Sequence, residues 1–407
     1  MNAIDRFLHY VTFDTQSSET SGTHPSSAGQ LVLARALADE LAARGARDVH
    51  LSETGYVYAT IPASAGREGE PALGFLAHLD TSPAASGAHV KPARVVYAGG
   101  VLPLGSSGRT LDPAVFPELD RLVGKELIVT DGTTLLGADD KLGVAILMAL
   151  AEEMLGVEAP SHRTLALCFT PDEEIGEGTD HFEPARFAAK VAFTVDGDAV
   201  DAVENANFNA AGAMVTFTGV AVHPGYAKGV MVNALKLAAA YLARLPSTEA
   251  PETTEGREGF YHPEALTGTA AQATLKFILR DHDAAKLEAR KQFLARLAEK
   301  MNAVYGSGTV TVEIRDQYRN MEERLAESPG LVRSALDAVR AVGLEPRLVA
   351  IRGGTDGARL TTVFGIPCPN LGTGGRNYHG ECEYAIVEEV EQATQIVRRL
   401  SCDARLQ

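Results

Sequence analysis

Three short apolar runs, each with acidic side chains at or directly after its end, constrain the fold of this chain most. Residues 73–80, 165–170 and 191–196 have the length and composition of buried strands. An amphipathic helix is predicted at residues 28–44, before a glycine that is typical of a helix end. Strands that alternate with helices indicate an α/β sheet, in which ligands gather outside the carboxyl ends of the strands. The sequence therefore predicts an α/β fold with acidic residues and His78 along one edge of its sheet.

A different pattern begins near residue 208. It contains strand-like runs at 213–219, 271–280 and 309–315 and helical runs at 232–245 and 283–305, which we expect to be five of the six elements of a ferredoxin-like β-α-β-β-α-β domain. The first pattern then returns, with helices predicted at 329–342 and 385–400. We therefore predict that one α/β domain, residues 1–207 and 320–407, is interrupted by an inserted α+β domain, residues 208–319.

The composition excludes several classes of partner. The chain has 407 residues, 45% of them apolar, and a formal net charge of −16, which argues against binding to nucleic acid or anionic membranes. It contains no apolar run long enough to span a membrane, and the first residues do not resemble a signal peptide, so we expect a cytoplasmic protein. Its four cysteines lack the Cys-x-x-Cys spacing of a zinc site and imply no disulfide framework.

Two adjacent carboxylates, Asp139 and Asp140, lie between glycines just before the predicted helix that contains Val144 to Leu155. Neighbouring Asp side chains repel each other, which suggests that a cation or a set of hydrogen-bond donors compensates them. Taken alone, however, an Asp-Asp-Lys sequence is more often an ordinary helix N-terminus, where Asp is favoured.

Further candidate ligands follow the predicted strands. His78 and Asp80 are two residues apart and so share a face, and Asp80 could steady the ring of a metal-bound His78. Glu173 and Glu174 are neighbours on extended backbone and point apart, so that one could bind a metal while the other carries a proton. Each pair has an ordinary alternative, since a lone His-x-Asp is weak evidence and Pro-Asp-Glu-Glu is often a solvated acidic turn.

Asp196 and His379 complete the candidate metal ligands. Alone, Asp196 is equally a helix cap, and His379 is more often a hydrogen-bonded loop histidine. The convergence of two histidines with carboxylates at several strand ends favours a pair of divalent ions, with one carboxylate bridging them. Imidazole and oxygen donors suit Zn²⁺ without excluding Co²⁺ or Mn²⁺.

Ordered motifs along nearly the whole chain resemble the peptidase T family, bacterial tripeptide aminopeptidases among the co-catalytic zinc peptidases. The motifs begin at His78-Leu-Asp-Thr-Ser-Pro, Gly137-Ala-Asp-Asp-Lys, Thr170-Pro-Asp-Glu-Glu, Thr194-Val-Asp-Gly, Val222-His-Pro-Gly, Ile351-Arg-Gly-Gly-Thr-Asp-Gly and Asn377-Tyr-His-Gly. Longer matches begin at Ala227 and Glu255, and they are more specific than the metal pattern that deacylases and carboxypeptidases share. The chain departs from the family at His282, where phenylalanine is expected. The resemblance implies a zinc-exopeptidase-like three-layer αβα catalytic domain with a ferredoxin-like lid.

The resemblance also implies a role for each candidate residue. His78 and Asp196 hold one zinc ion, Glu174 and His379 hold the other, and Asp139 bridges the two. The peptide bond between Asp139 and Asp140 is expected to be cis. Asp80 steadies His78, and Glu173 is the general base. Two cations lower the pKa of a bridging water, so hydroxide is available near pH 7 to attack a peptide carbonyl.

The sequence leaves three interpretations of the activity. The first is a di-zinc enzyme that releases the N-terminal residue of tripeptides, and the second is a dipeptidase or N-acyl amino acid deacylase with the same metal centre. Aspartate at position 196 favours the first, since this position is expected to be glutamate in carboxypeptidases and deacylases. The third, a metal-stabilised peptide-binding protein without catalysis, is disfavoured because the general base Glu173 is present.

Selection of substrate length needs groups beyond the metals. The inserted domain offers His223, Asn233 and Arg280, and Arg352 is expected from the catalytic domain. Arginine suits a fork-shaped grip on the terminal carboxylate of a peptide, and His223 could stabilise an oxyanion. The alternative is that both arginines pair with the many carboxylates of the chain.

Overall fold

The structure is a computed structural model, and it describes residues 1–403. The chain divides into two compact units. The first consists of Met1–Asn205, Glu323–Val349 and the residues from Thr355 onward, and the second consists of Ala206–Glu322 and Ala350–Gly354.

The described part of the chain contains nine α-helices, which are α1 (Ala3–Tyr10), α2 (Ala28–Ala43), α3 (Ala138–Met154), α4 (Ala234–Leu242), α5 (Ala284–Tyr305), α6 (Glu322–Leu325), α7 (Pro329–Ala341), α8 (Asp356–Val363) and α9 (Val387–Cys402).

The strands of the same residues are β1 (Arg47–Leu51), β2 (Val57–Ile61), β3 (Leu73–His78), β4 (Ala93–Val96), β5 (Leu102–Pro103), β6 (Thr110–Leu111), β7 (Glu126–Val129), β8 (Leu165–Thr170), β9 (Val191–Gly197), β10 (Ala202–Ala206), β11 (Asn209–Thr218), β12 (Phe260–Gly268), β13 (Gln272–Asp281), β14 (Val310–Tyr318), β15 (Arg347–Ala350), β16 (Asn370–Gly372), β17 (Gly375–Arg376) and β18 (Tyr384–Ile386).

The first unit is built on an eight-stranded mixed sheet. Its strand order is β1-β2-β8-β3-β9-β16-β10-β15. The neighbouring strands β8, β3 and β9 are parallel, so their carboxyl ends meet at one edge of the sheet. These are the three apolar runs that the sequence predicted as strands, and the acidic residues that follow them therefore lie along the same edge.

Helices cover both faces of this sheet. Almost every residue of α3 is buried, which is the property of a helix that is apolar all round and packs inside a domain. On the opposite face, Leu360 of α8 shares a core cluster with Leu76 of β3 and Ala192 of β9. The α/β class with a three-layer arrangement is thus confirmed.

A smaller antiparallel sheet of the first unit has the strand order β17-β18-β7-β4. Tyr384 and Ile386 of β18 lie in its core together with Leu127 and Val129 of β7. Because β18 follows the loop that carries His379, this sheet anchors one end of that loop.

The second unit has the predicted ferredoxin-like architecture. Its elements follow the order β11, α4, β12, β13, α5, β14, and its antiparallel sheet has the order β12-β13-β11-β14. The unit extends beyond the predicted limits of 208–319 at both ends. It also contains Ala350–Gly354, so Arg352 belongs to this unit and not to the flanking domain in which we had expected it.

No helix among the described residues is long and apolar enough to cross a membrane. The four cysteines are free thiols: Cys168 and Cys368 are buried, and Cys382 and Cys402 are partly exposed.

Candidate metal centre

The predicted metal ligands converge at the edge where three parallel strands end. His78 is the last residue of β3, Glu174 follows β8, and Asp196 is the second-to-last residue of β9. Asp139 is at the start of α3, and His379 lies in the loop between β17 and β18. The topology of the sheet therefore brings together residues that are far apart in sequence.

Asp139 lies between the two histidines. Its Oδ1 is 2.8 Å from Nε2 of His78, and its Oδ2 is 3.1 Å from Nε2 of His379. Each oxygen of this one carboxylate thus faces a different imidazole. This is the arrangement that a bridging ligand requires.

Each histidine also faces a second carboxylate. Oδ1 of Asp196 is 3.4 Å from Nε2 of His78, and Oε2 of Glu174 is 3.0 Å from Nε2 of His379. The potential ligands therefore form two groups that share Asp139, namely His78 with Asp196 and His379 with Glu174.

Asp80 contacts both the first group and the turn that follows β8. Ring Nδ1 of His78 lies 3.0 Å from the backbone oxygen of Asp80 and 3.3 Å from its Oδ1. The Asp80 carboxylate also accepts the backbone N–H groups of Glu173 and Glu174, at 3.0 and 3.1 Å. Asp80 thereby orients one potential ligand and the backbone of the predicted general base.

The first turn of α3 departs from helical geometry. The peptide bond between Asp139 and Asp140 is cis, as the family resemblance implied. The buried Asp140 carboxylate accepts the N–H groups of His78, at 3.1 Å, and Gly143, at 3.0 Å. Position 143 must be glycine, because a Cβ there would lie 1.9 Å from the backbone oxygen of Val195 and 2.5 Å from Asp140.

The ionisable groups perturb one another strongly. Burial would lower the pKa of His78, but the negative charge of Asp196 and a hydrogen bond with Asp139 raise it well above its ordinary value. Hydrogen bonds with Asp139 and Glu174 raise the pKa of His379 to about 10. Burial raises the pKa of Glu173 and of Asp196, where neighbouring carboxylates add to the effect for both. The cluster therefore favours a compensating positive charge.

The donor set fits a pair of divalent cations. Imidazole nitrogens and carboxylate oxygens suit Zn²⁺, Co²⁺ and Mn²⁺. Two overlapping groups of possible ligands share His78, one with Asp139 and Glu174 and the other with Asp140 and Asp196. In addition, the buried Oε1 of Glu174 has no hydrogen-bond partner among the described residues, so it is available to a cation.

Sequence reasoning missed three buried residues that form hydrogen bonds around the predicted ligands, namely Asn370, Glu204 and Glu383. Asn370 accepts the N–H of Asp196 at 3.1 Å and donates to Oε2 of Glu204 at 2.7 Å. Glu383 accepts three N–H groups around Asp139. No local signal marks them, because their partners are distant in sequence and isolated Asn and Glu residues are common in turns.

A cavity opens beside the second ligand group. Its volume is about 570 Å³, and its lining includes Glu174, His379, Ser17, Ser82 and Glu19. The lining combines hydroxyl and carboxylate groups with apolar surface from Pro83 and Ala84, which suits a ligand that has both polar and apolar parts. The His379 side chain is 47% exposed, so the group is accessible from solvent.

Two of the predicted substrate residues lie exposed or partly exposed in the second unit. Nδ1 of His223 accepts the N–H of Gly225 at 3.1 Å, so the neutral ring carries its proton on Nε2, where it can donate to a ligand. Oδ1 of Asn233 accepts the N–H of Lys236 at 3.3 Å and caps α4. Its side-chain amide N–H groups are not used in this cap.

The two predicted substrate arginines, Arg280 and Arg352, form no ion pair with any described carboxylate. Nη1 of Arg280 donates to Oε1 of Gln317 at 3.0 Å and to the backbone oxygen of its neighbour at 3.0 Å. Nη1 and Nη2 of Arg352 donate to the loop 254–258, at 2.8 to 3.1 Å. Phe260 lies near both arginines. It is opposite Arg280 in the pairing of β12 with β13, and its ring lies 5.5 Å from the guanidinium of Arg352.

Comparison with known proteins gives two further findings. Residues 205–309 match a family described as a peptidase dimerisation domain. The chain is 46% identical over 401 residues to a protein named Peptidase T from Parabacteroides distasonis, and the match covers 98% of each sequence.

Solved structures share the fold. A tripeptidase from Staphylococcus aureus superposes with a TM-score of 0.78 at 20% sequence identity, covering 98% of this chain and 97% of the other. A dinuclear metal-binding peptidase of the M20 family from Bacillus subtilis superposes with a TM-score of 0.67 at 15% identity, covering 98% and 96%. At these identities the likeness concerns the fold.

Proposed function

The chain belongs to the peptidase T family, and from this premise we propose that it is a di-zinc aminopeptidase that releases the N-terminal residue of tripeptides. The observation that carries the proposal is the placement of Asp139, whose two oxygens face Nε2 of His78 and Nε2 of His379 at 2.8 and 3.1 Å. A carboxylate in this position joins two ligand groups into one centre.

The first cation would be held by His78 and Asp196, the second by His379 and Glu174, and both by Asp139. Two such cations would lower the pKa of a water molecule toward neutrality, which is the chemistry that amide hydrolysis near pH 7 requires. We propose zinc, with cobalt or manganese as substitutes, because the donors are imidazoles and carboxylates and no cysteine.

Glu173 would move the proton. Its backbone N–H is held by Asp80, so the side chain is attached to a fixed point beside the ligands. The Glu173 carboxylate would accept a proton from water and deliver it to the nitrogen of the leaving amine. Burial and the neighbouring carboxylates raise the pKa of Glu173.

Residues of the second unit would bind and orient the substrate. Arg280 and Arg352 would bind the C-terminal carboxylate, which is supported by their hydrogen bonds to neutral acceptors, Gln317 for Arg280 and Thr254 for Arg352. His223 would donate from Nε2 to the developing oxyanion, and Asn233 would offer its amide N–H groups to the peptide.

The decisive experiment compares three substrates: a free tripeptide, its N-acetylated form and the matching dipeptide. The proposal predicts rapid release of the first residue from the free tripeptide, little reaction with the other two, and loss of activity after removal of metal by a chelator. Preference for the dipeptide would identify a dipeptidase, and preference for the acetylated peptide would identify a deacylase.

The proposal includes a cytoplasmic location, where short peptides are converted to amino acids. Fractionation of cells, followed by detection of the protein, tests this part separately.

A further inference from the structure

Glu383 is a buried carboxylate that the proposed reaction does not use. Its side chain is 1% exposed. Oε2 accepts the backbone N–H groups of Leu136, at 2.6 Å, and Gly137, at 2.8 Å. Oε1 accepts the backbone N–H of Asp139 at 3.1 Å. One carboxylate thus receives three N–H groups from a segment of four residues, and one of the donors is the bridging residue itself.

These N–H groups need an acceptor from elsewhere in the chain. They lie at the N-terminus of α3, where backbone N–H groups have no partner within the helix. Gly137, the residue before the helix, has no side chain that could cap it and adopts a left-handed conformation with φ of 83°. A carboxylate from a distant segment supplies both the acceptors and the negative charge that a helix N-terminus favours.

The segment that supplies Glu383 also carries a metal ligand. Glu383 is four residues after His379 and directly precedes β18. Backbone pairing of Tyr384 with Val129 of β7 fixes the start of that strand. A single loop between β17 and β18 therefore holds a ligand of one cation and the carboxylate that contacts the backbone of the bridging residue.

We propose that Glu383 is a positioning residue for the metal centre, which holds Asp139 in the orientation that lets its two oxygens serve different cations. The inference rests on the proposed function, because it concerns the same metal centre. Without the three hydrogen bonds, the turn before α3 would be free to rotate Asp139 away from one histidine.

A more ordinary role is a helix cap that stabilises α3 and nothing else. The two roles predict different results. A simple cap changes the free energy of unfolding but leaves the metal affinity and the ligand geometry of the folded protein unchanged. A positioning residue changes both of these in protein that remains folded.

The test uses the full chain with the substitution Glu383→Gln. Glutamine has nearly the same shape, but one of its two terminal atoms is a donor, so at least one of the three N–H groups loses its acceptor. The matched control is Glu381→Gln, two residues away, where a partly exposed carboxylate pairs with Arg109 at the surface.

Two measurements on metal-free protein reloaded with metal are needed. Zinc affinity is measured by competition with a chromophoric chelator, and ligand geometry is measured from the visible absorption spectrum of the cobalt form. We expect E383Q to bind zinc about 10- to 100-fold more weakly than the wild type, as is typical when an outer partner of a ligand is removed. We also expect its cobalt spectrum to change, whereas E381Q should match the wild type in both measurements.

Two results would overturn the inference. One is an E383Q protein that is folded by circular dichroism and has the zinc affinity and cobalt spectrum of the wild type. The other is an E383Q chain that is unfolded at 25 °C without metal, because Glu383 would then determine the fold and not the geometry of the centre.

The measurements separate this inference from the proposed function. If the wild type binds metal but does not hydrolyse tripeptides, the proposed substrate is wrong, and the comparison of E383Q with E381Q still decides the role of Glu383. If the wild type binds no divalent cation, the proposed function itself fails.

Discussion

Ring Nδ1 of His78 lies 3.0 Å from the backbone oxygen of Asp80 and 3.3 Å from its carboxylate Oδ1. A proton on Nδ1 is therefore directed toward Asp80, which leaves the lone pair of Nε2 facing the carboxylates of the centre. Because Asp80 also accepts the N–H groups of Glu173 and Glu174, a single side chain aligns elements of both ligand groups.

Replacing Asp80 with alanine should impair both metal binding and catalysis. The backbone oxygen would still contact His78, but the N–H groups of Glu173 and Glu174 would lose their acceptor. We expect a loss of about 10- to 100-fold in zinc affinity or in kcat. Metal analysis and steady-state kinetics on the purified variant check this, and wild-type values in both would show that Asp80 has no orienting role.

Replacing Glu173 with glutamine should abolish turnover while two metal ions remain bound. The substitution removes the proton-accepting group but none of the proposed ligands. Loss of a general base typically reduces the rate by a factor on the order of 10² to 10⁴. Rate measurement together with elemental analysis tests both parts of the expectation.

Replacing Asp139 with asparagine, in contrast to Glu173→Gln, should lower the metal content, because Asp139 is a proposed ligand. It removes the charge of the carboxylate whose oxygens face His78 and His379, so we expect metal content to fall below two ions per chain. Normal metal content in this variant would contradict the bridging assignment, whatever happens to the rate.

Much of the framework of this centre could be predicted from the sequence. The strand Leu165–Thr170 has the predicted limits, because a fully buried strand appears in sequence as a continuous apolar run. His78, Asp196 and the acidic residues after β8 could be assigned to one edge, since parallel strands end on the same side of a sheet.

Other features could not be predicted from local patterns. Strand β12 was missed because it lies at the edge of its sheet, is mostly exposed and contains Pro263, so it lacks the apolar signal of a buried strand. Glu383 was missed because its contact with Asp139 spans 244 residues. A glutamate in a Glu-Cys-Glu turn is indistinguishable in sequence from a solvated one.

Replacing Arg280 with alanine should weaken use of free tripeptides strongly and have little effect on C-terminally amidated ones. The amidated peptides lack the charge that the guanidinium would bind, so they should already be poor substrates of the wild type. We expect the same pattern for Arg352→Ala. The measurement is kcat/KM for both substrates with each variant.

A suitable control for these variants is Arg315→Ala, because Arg315 is an exposed arginine in the same sheet. It should leave both substrates unaffected. Equal losses on free and amidated peptides in the Arg280 and Arg352 variants would show that neither side chain recognises the carboxylate.

Replacing His282 with phenylalanine should make the second unit less sensitive to acid. His282 is 8% exposed, its Nε2 lies 3.1 Å from the backbone oxygen of Ile351, and its ring lies 4.3 Å from that of Phe208. Burial lowers the pKa of His282 below its ordinary value of 6.5. The unfolded chain therefore binds a proton at this position more readily than the folded chain.

Because of this difference, the free energy of unfolding decreases as the pH falls. The stabilising contribution of neutral His282 is fully present above pH 6.5 and is lost as the pH falls through the lowered pKa of the folded state. Each unit of that pKa difference corresponds to about 1.4 kcal/mol. Phenylalanine cannot be protonated, so H282F should lose less stability than the wild type between pH 7.5 and pH 5, as measured by urea unfolding.

His262→Phe, in a partly exposed position of the same unit, is the control. Equal pH dependence in H282F and the wild type would rule out a role for His282 in acid sensitivity.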